Sequence, residues 1–532
     1  MLQYALPDLL QQQIQRSNRS NLGKIESTLN RQIYDIIRQA ILDGILPANT
    51  KLPATRSLAK ELQLSRNTVL AAYEQLEAEG YVTTAIGSGT YVAETFSNKN
   101  KSDDIERTEN AAGHKTLIQV APRRYTLSRR GHKLISDAGA SDRQWGAFVA
   151  GVPDVSLFPH NVWARLLSKR WRNPLPELLT YAHQGGYMPL RRALAEHLRI
   201  VRSANCEASR IIITTGIHQA LDLVARMLAD SGDTAWIEDP GYWGTRSVFS
   251  SAGIVTIPIP VDKEGIAPDG IALQNPPRLI FVTPSHQYPL GTVMSMARRR
   301  MLLEYARQRD AWIIEDDYDS EFRFEGKPLA SLQGLDQHDR VIYVGTFSKT
   351  LFPGMRLGYM IVPKALATQF ATGLSEIYRE GQLMQQAVLA EFIEEGHYSA
   401  HTRRMRQHYA RRQSLLREAL TQRFGKSWPI SSQEAGLHMT MFLPANSDDL
   451  GISIAARTQG IIARPLSRYY HHGTGALKGL LLGYACVPEQ EIAPAFHKLA
   501  DVIEPALSHQ KNWSSRHDST SIRINEAAWS GA

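Results

Sequence analysis

The stretch VIYVGTFSKTLFPGMRLGYMIVP, residues 341–363, decides how this chain is read. Val341, Ile342, Tyr343 and Val344 form an apolar, β-rich run that predicts a buried strand, and Leu357 to Val362 form a second apolar run. Between them, Gly345-Thr346-Phe347-Ser348-Lys349-Thr350 predicts a short loop that puts Lys349 where an ammonium is hard to solvate. A desolvated lysine loses its proton more easily, and a neutral amine forms a Schiff base with an aldehyde. Thr346 and Ser348 flank the lysine and Arg356 follows on the same connection, a set suited to a phosphate beside a carbonyl carbon. Ser-Lys-Thr alone is a weak signal, because most such lysines sit on the surface of β-loops. The rest of the chain has to supply the partners.

Upstream, strands and helices alternate from about residue 137. Ile211-Ile213, Thr234-Ile237, Ile254-Ile257, Leu279-Val282 and Trp312-Ile314 read as strands of a wound α/β sheet, whose ligands sit at the carboxyl ends of strands. Thr215-Gly216-Ile217-His218 opens a helix directly after a strand, so free N–H groups there point at an anion. Tyr242, in Glu238-Asp239-Pro240-Gly241-Tyr242, is suited to stacking on a flat heterocycle, although most such tyrosines are packing residues. Asp316 and Tyr318 in Glu315-Asp316-Asp317-Tyr318-Asp319 set a carboxylate and a phenol just past a strand, and a carboxylate there would keep a pyridine nitrogen protonated. Acidic clusters more often bind metal or cap helices. With no histidine joining this one, a metal is not expected.

Length and composition bound the rest. At 532 residues with 43% hydrophobic residues, two or three soluble domains are expected. No charge-free apolar run approaches membrane-spanning length, and the opening MLQYALPDLLQQQIQRS is too polar for a signal peptide, so a cytoplasmic location without membrane attachment is expected. Two cysteines, Cys206 and Cys486, make neither a disulfide framework nor a zinc site. A net charge of +8 permits a polyanionic partner without requiring one.

Residues 1–94 form a separate head. Leu29, Ile33, Ile36, Ile37, Ala40 and Ile41 recur at helical spacing. A short helix over Ala54 to Leu62 follows, and Ser65 then caps SRNTVLAAYEQLEAEG, which stops at Gly80. Tyr81-Val82-Thr83, the glycine tip Gly87-Ser88-Gly89 and Thr90-Tyr91-Val92 read as a β-hairpin. Three helices and a hairpin make a winged helix-turn-helix, with Ser65, Arg66, Asn67 and Thr68 at the end of the helix that meets base edges. Residues 1–95 carry nine Lys and Arg against nine Asp and Glu, so affinity for DNA has to come from local placement and dimerisation.

Residues 95–135 are polar and aperiodic and read as a tether, in which Arg123, Arg124, Arg129, Arg130 and Lys133 could add a nonspecific pull on phosphate. A large domain over 136–365 and a smaller one over 366–508 follow. The smaller one has strands at Leu437-Leu443, Ile461-Ile462 and Leu480-Tyr484, and a basic run (Arg403, Arg404, Arg406, Arg411, Arg412) that reads as a solvated helix face. Residues 509–532 read as a disordered tail.

The head resembles the DNA-binding domain of GntR-type bacterial regulators through Leu52-Pro53-x-x-Arg56-x-Leu58-Ala59, Leu64-Ser65-Arg66-Asn67-Thr68-Val69, Tyr73-x-x-Leu76-x-x-Glu79-Gly80 and Gly87-Ser88-Gly89-Thr90-Tyr91-Val92. The resemblance implies that Arg56, Arg66 and Thr68 face double-stranded operator DNA and that the tip Gly87–Gly89 enters the minor groove. From about Gly151 to Pro505 the loops, taken in order, resemble the fold-type I aminotransferases. That implies pyridoxal 5'-phosphate on Lys349, Asp316 on the pyridine nitrogen, Tyr318 on the ring hydroxyl and Tyr242 stacked on the ring. It further implies that Thr215, Gly216, Ile217, His218, Thr346, Ser348 and Arg356 surround the phosphate, with Tyr181 reaching it from the other subunit. Two departures stand out. Tyr288-Pro289-Leu290-Gly291 replaces the usual Asn-Pro-x-Gly, and Leu480-Leu481-Leu482-Gly483-Tyr484-Ala485 has no arginine for a substrate carboxylate. Both imply poor transamination. Arg464, Arg468 and Tyr288 are then the candidates for holding an effector.

Head and body together, with PSHQYPLG, EDDYDSEF and GTFSKTLFPGMRLGY, resemble the MocR/GabR group of regulators. The resemblance implies a homodimeric, pyridoxal-phosphate-dependent transcription factor whose heads cross to the partner's body. It would sense an amine, an amino acid or the cofactor itself. The alternative is an active aminotransferase that carries a DNA-binding head.

Overall fold

A computed structural model describes residues 6–20, 28–85, 87–94, 127–136, 145–181, 185–326, 329–379, 381–431, 434–471 and 475–517. The chain divides into two compact units, Met1–Thr126 and Leu127–Ala532. The second unit holds two lobes, one around an eight-stranded sheet and one around a three-stranded sheet.

In the first unit, α1 (Leu6–Ser20) precedes the three expected helices α2 (Leu29–Leu42), α3 (Thr55–Glu61) and α4 (Arg66–Ala78), and β1 (Val82–Ala85) pairs antiparallel with β2 (Gly89–Val92). Helix α1 is an addition to the expected three. Its Leu6 and Leu10, four apart and so on one helical face, are buried with Ile33, Ile37, Leu58, Val69 and Leu76. Ser65 caps α4 by accepting from the Thr68 N–H at 3.1 Å. Two of the late acidic residues on α4 are turned to internal use. Glu77 accepts from the Thr84 N–H at 3.1 Å, and Glu79 takes the hydroxyl of Tyr34. Neither faces outward as an unpartnered charge.

The second unit opens with α5 (Arg129–Ser136), a helix within the stretch read as a tether; Ser128 Oγ accepts from the Gly131 N–H at 3.1 Å and caps it. The tether proper, 95–126, lies outside the described residues. Next come α6 (His160–Arg172), α7 (Met188–Arg202), β3 (Ile211–Thr214), α8 (Ile217–Leu228), β4 (Thr234–Asp239), α9 (Trp243–Ala252), β5 (Val255–Asp262), β6 (Gly265–Ile266), α10 (Gly270–Gln274) and β7 (Leu279–Val282). The lobe is completed by α11 (Met296–Arg309), β8 (Trp312–Asp317), α12 (Leu332–Leu335), β9 (Val341–Thr346), β10 (Gly358–Ile361), α13 (Ala367–Tyr378) and α14 (Leu383–Glu394).

The eight strands form one sheet in the order β3-β10-β9-β8-β7-β4-β5-β6. It is parallel from β9 to β5, while β10 is antiparallel to both neighbours. Every residue of β3, β7 and β10 is buried, as expected for a sheet covered on both faces. Side chains alternate between two cores: Ile212, Ile342, Val344 and Met360 pack with α8, α9 and α13, whereas Ile211, Ile213, Tyr343 and Tyr359 pack with α6, α7 and α14. The reversal of β10 has a local consequence. Gly358 stands opposite both Thr214 and Thr346, which brings the end of β3 and the end of β9 to the same edge of the sheet.

The small lobe packs α15 (His397–Phe424), α16 (Asp449–Thr458) and α17 (Glu489–His517) around an antiparallel sheet of β11 (His438–Leu443), β13 (Lys478–Gly483) and β12 (Arg464–Pro465). The strand expected at Ile461-Ile462 falls at Arg464–Pro465 instead, and Ile461 makes only an isolated bridge to Ala147. Helix α17 runs to His517, past the expected end of order at 508; residues 518–532 lie outside the described residues. Arg412 does not belong to a solvated face. It is buried and paired with Asp154 at 2.7 Å, because α15 lies against the segment that enters the body. Arg403, Arg404, Arg406 and Arg411 are exposed as expected.

Candidate functional site

At that shared sheet edge lies a cavity of about 320 Å³, and its wall collects residues from several separate loops. Twelve residues singled out from the sequence line it: Gly216, Ile217, His218, Tyr242, Tyr288, Asp316, Tyr318, Thr346, Ser348, Lys349, Arg356 and Arg464. They come together because β3, β4, β8 and β9 end on the same side, and the register sets Asp316 beside Val344, two residues before Thr346. The inward-facing group is Lys349. Its Nζ donates to the Gly151 carbonyl at 2.7 Å, and burial holds its pKa below the usual lysine value, against the opposing pull of Asp319 and Asp316. A cation on a short loop over a buried sheet is therefore partly disposed to be a neutral amine.

Asp316 is buried at the end of β8, and its pKa is pushed up to about 8, first by burial and next by Asp317, with Lys349 pulling the other way. A carboxyl in that condition has a strong preference for a cationic partner, and a protonated heterocyclic nitrogen is one. Tyr242 lines the same cavity, its hydroxyl 2.9 Å from His218 Nε2. Burial together with the Arg356 guanidinium lowers the His218 pKa, so the imidazole is neutral at physiological pH. Gly216 caps α8, whose first N–H groups face the cavity mouth beside Arg356. Arg356 itself is exposed at the rim.

Three candidates stand elsewhere in the single chain. Thr215 lies beside the cavity, where its N–H donates to Gln219 Oε1 at 2.7 Å. Tyr181 is 71% exposed and is not among the residues that line the cavity. Arg468 is exposed, whereas Arg464, four residues earlier on β12, enters the cavity next to Tyr288 and Tyr469. The strand β13 offers no arginine, as its sequence requires, yet Arg464 sits opposite Leu481 on the adjacent strand and puts a guanidinium into the same space. The replacement at Tyr288 is engaged in the protein: its hydroxyl lies 3.0 Å from that of Tyr469.

Several residues of the wall escaped the sequence reading. Trp243 lines the cavity next to Tyr242, and Gly151 accepts from Lys349 across 198 positions of chain. The acidic run is also not free of histidine: His286 Nδ1 lies 3.0 Å from Asp319 Oδ2. Among the described residues no group of three or more His, Cys, Asp or Glu side chains is placed to hold a metal ion. None of their helices is long and apolar enough to cross a membrane.

On the head, Arg56, Ser65, Arg66, Asn67, Gly87 and Ser88 are exposed, and Thr68 and Gly89 are half-buried. Ser65 and Thr68 share a 2.8 Å contact between hydroxyls, and Ser88 is held against Tyr91 at 2.8 Å. These short side chains are thus committed locally, which leaves Arg56, Arg66 and Asn67 as the extended donors of that surface.

Residues 29–92 match the family of bacterial regulatory proteins of gntR type, and residues 157–499 match aminotransferase class I and II. The chain is 40% identical over 475 residues to the probable rhizopine catabolism regulatory protein MocR of Rhizobium meliloti, covering 88% of this chain and 93% of that one. It is 31% identical over 477 residues to the pyridoxine biosynthesis transcriptional regulator PdxR of Corynebacterium glutamicum, covering 90% and 96%. Among solved structures, α-aminoadipate aminotransferase LysN of Thermus thermophilus, complexed with N-(5'-phosphopyridoxyl)-L-leucine, matches 72% of this chain and 100% of its own, with a TM-score of 0.64 and 27% identity. Kynurenine aminotransferase of Pyrococcus horikoshii matches 72% and 96%, with a TM-score of 0.62 and 26% identity.

Proposed function

Given that the chain belongs to the MocR/GabR-type transcriptional regulators, with a GntR head and an aminotransferase class I and II body, we propose that its body binds pyridoxal 5'-phosphate at Lys349 and reports a small amine or amino acid to the head. The observation that carries this reading is the pairing, in one cavity, of an amine whose charge is disfavoured with a buried carboxyl that seeks a cation. The residues fit the cofactor. Lys349 supplies the amine, Asp316 the partner for a pyridinium, Tyr242 an aromatic face, and the α8 terminus with Thr346, Ser348 and Arg356 the anion site. When bound, the cofactor supplies an aldehyde that condenses reversibly with amines and a ring that withdraws electrons.

The protein's own groups then determine what an amine does. Lys349, released by a competing amine, has the Gly151 carbonyl at 2.7 Å as its acceptor. Arg464, whose Nε lacks a hydrogen-bond partner in the protein, is the group placed to receive a carboxylate. Tyr288 is tied to Tyr469 and is not free to act as the usual asparagine. These features support binding with slow turnover, well under the typical enzymatic rate of about 10 per second. An effector alters operator binding only through different affinities for two arrangements of the protein. A homodimer in which each head crosses to the other subunit's body completes the proposal, with Tyr181, exposed in the single chain, as the residue to reach a neighbouring site.

The test is direct. The purified protein is incubated with pyridoxal phosphate, reduced with borohydride and digested. A covalent label on Lys349, abolished in Lys349→Ala, is the expected result, together with altered operator binding when an amine panel is added. Rapid multiple-turnover transamination with no effect on operator binding would instead make the body a working enzyme.

A further inference from the structure

Against the Tyr318 hydroxyl, and outside the residues that line the cavity, the imidazole of His286 is 3% exposed and lies in a slot cut by two glycines. A Cβ at Gly436, where φ is +101°, would fall 2.1 Å from His286 Cε1, and one at Gly291 would fall 3.2 Å from Nε2. The ring is therefore held in one place. Its Nδ1 has two oxygens at hydrogen-bond distance: Asp319 Oδ2 at 3.0 Å and the Tyr318 hydroxyl at 3.0 Å.

The direction of these bonds follows from what each group can do. A carboxylate only accepts, so a buried Nδ1 beside it has to carry its hydrogen; without it, two lone pairs would face each other at 3.0 Å. With the hydrogen on Nδ1, the Tyr318 oxygen can only receive a share of the same N–H. Its own proton is then left to point elsewhere, and the open direction is the cavity that Tyr318 lines. Burial and the neighbouring Asp319 keep the phenol protonated, so it always has that proton to give. We propose that His286 is a positioning residue: it forks its Nδ1–H between Asp319 and Tyr318 and thereby fixes Tyr318 as a donor into the cofactor cavity.

This rests on the reading that pyridoxal phosphate occupies the cavity with its ring oxygen at Tyr318. In this chain the role is sharpened by Tyr288, which takes the place of the asparagine that would share the ring oxygen and is bonded to Tyr469 instead. Other groups pack around His286 without competing for Nδ1. The His438 ring lies 5.2 Å away and is kept neutral by burial, while Ser285, the preceding residue, is held by Arg202 at 2.6 Å.

The experiment follows the visible absorbance of the bound cofactor against pH in the full-length protein. A hydrogen bond donated to the ring oxygen stabilises its ionised form; losing that bond makes the proton shared with the lysine-derived nitrogen harder to remove. Tyr318→Phe should raise the titration midpoint by about one to two pH units, the range expected for one hydrogen bond to a charged group. His286→Gln, which moves the side-chain amide away from the δ position, should raise it in the same direction. His286→Asn, whose amide nitrogen superposes on Nδ1, should titrate like the wild type. The double variant H286Q/Y318F should match Y318F alone, because both changes remove one hydrogen bond. A wild-type midpoint in H286Q, or additive shifts in the double variant, overturns the proposal. If H286Q does not fold, the nitrogen-15 signals of the wild-type histidines decide, and a bare Nδ1 on the resonance that vanishes in H286N overturns it equally. A wild type that takes up no cofactor refutes the earlier reading of the cavity, which is a separate result.

Discussion

Asp316→Asn should make the cofactor-free body more stable while weakening its hold on the cofactor. Burial pushes the Asp316 pKa from 3.8 up to about 8, so between those values the folded chain keeps a proton that the unfolded chain has lost. The sign follows: stability falls as pH rises through that window and stops falling above about 8. From the ordinary carboxylate value to pH 7 there are about three decades of proton affinity at about 1.4 kcal/mol each, an effect of about 4 kcal/mol at pH 7. Asparagine has nearly the same shape and does not titrate. Thermal unfolding of the apo-protein from pH 4 to 9 should therefore show no advantage for Asp316→Asn near pH 4 and a growing one toward pH 8. In the loaded protein the order reverses. Losing a charge-assisted hydrogen bond of about 1.5–3 kcal/mol should weaken cofactor binding by about ten- to a hundredfold. An advantage that does not vary with pH, or an apo variant less stable than the wild type at pH 8, would refute the reasoning.

Arg66→Ala should weaken operator binding by about 1–3 kcal/mol in a gel shift if its contact is a bidentate base pairing, and Arg56→Ala should also weaken it, with cofactor absorbance untouched in both. Arg464→Ala should weaken the response to carboxylated amines more than to simple amines in spectral titrations, while Arg468→Ala, exposed on the surface, should leave both unchanged. Gly151→Ala should slow cofactor loading, measured by stopped-flow absorbance, because its Cβ would stand 3.0 Å from Lys349 Nζ at a φ of +75°.

That Lys349, Asp316 and Tyr318 would line one cavity was legible because each lies close to the end of a strand whose apolar run marks it plainly. The cavity is mostly a property of strand ends, and strand ends are visible in a sequence. What lies across the fold is not. Gly151 meets Lys349 through a contact 198 residues apart, and His286 meets Asp319 across 33, so no local pattern announces either. The choice between Arg464 and Arg468 turned on a two-residue strand followed by a 3-10 turn, which rotates the second arginine outward. Helix α1 and the burial of Arg412 were missed for a related reason, since both depend on what packs against them rather than on their own composition.

The carbonyl that receives Lys349 belongs to a strip of chain with two anchors. Three residues before Gly151, Phe148 is fully buried in the small lobe and bridges to Gly483 at the end of β13. The strip thus forms a short strap between Lys349 Nζ and the small lobe. Loss of one hydrogen bond from a neutral amine to that carbonyl is worth about 0.5–1.5 kcal/mol. That reaches the lower end of the coupling free energies, about 1–3 kcal/mol, between distant sites in regulated proteins. Lys349 and the sheet of the small lobe are thus joined through one short stretch of backbone, residues 148–151.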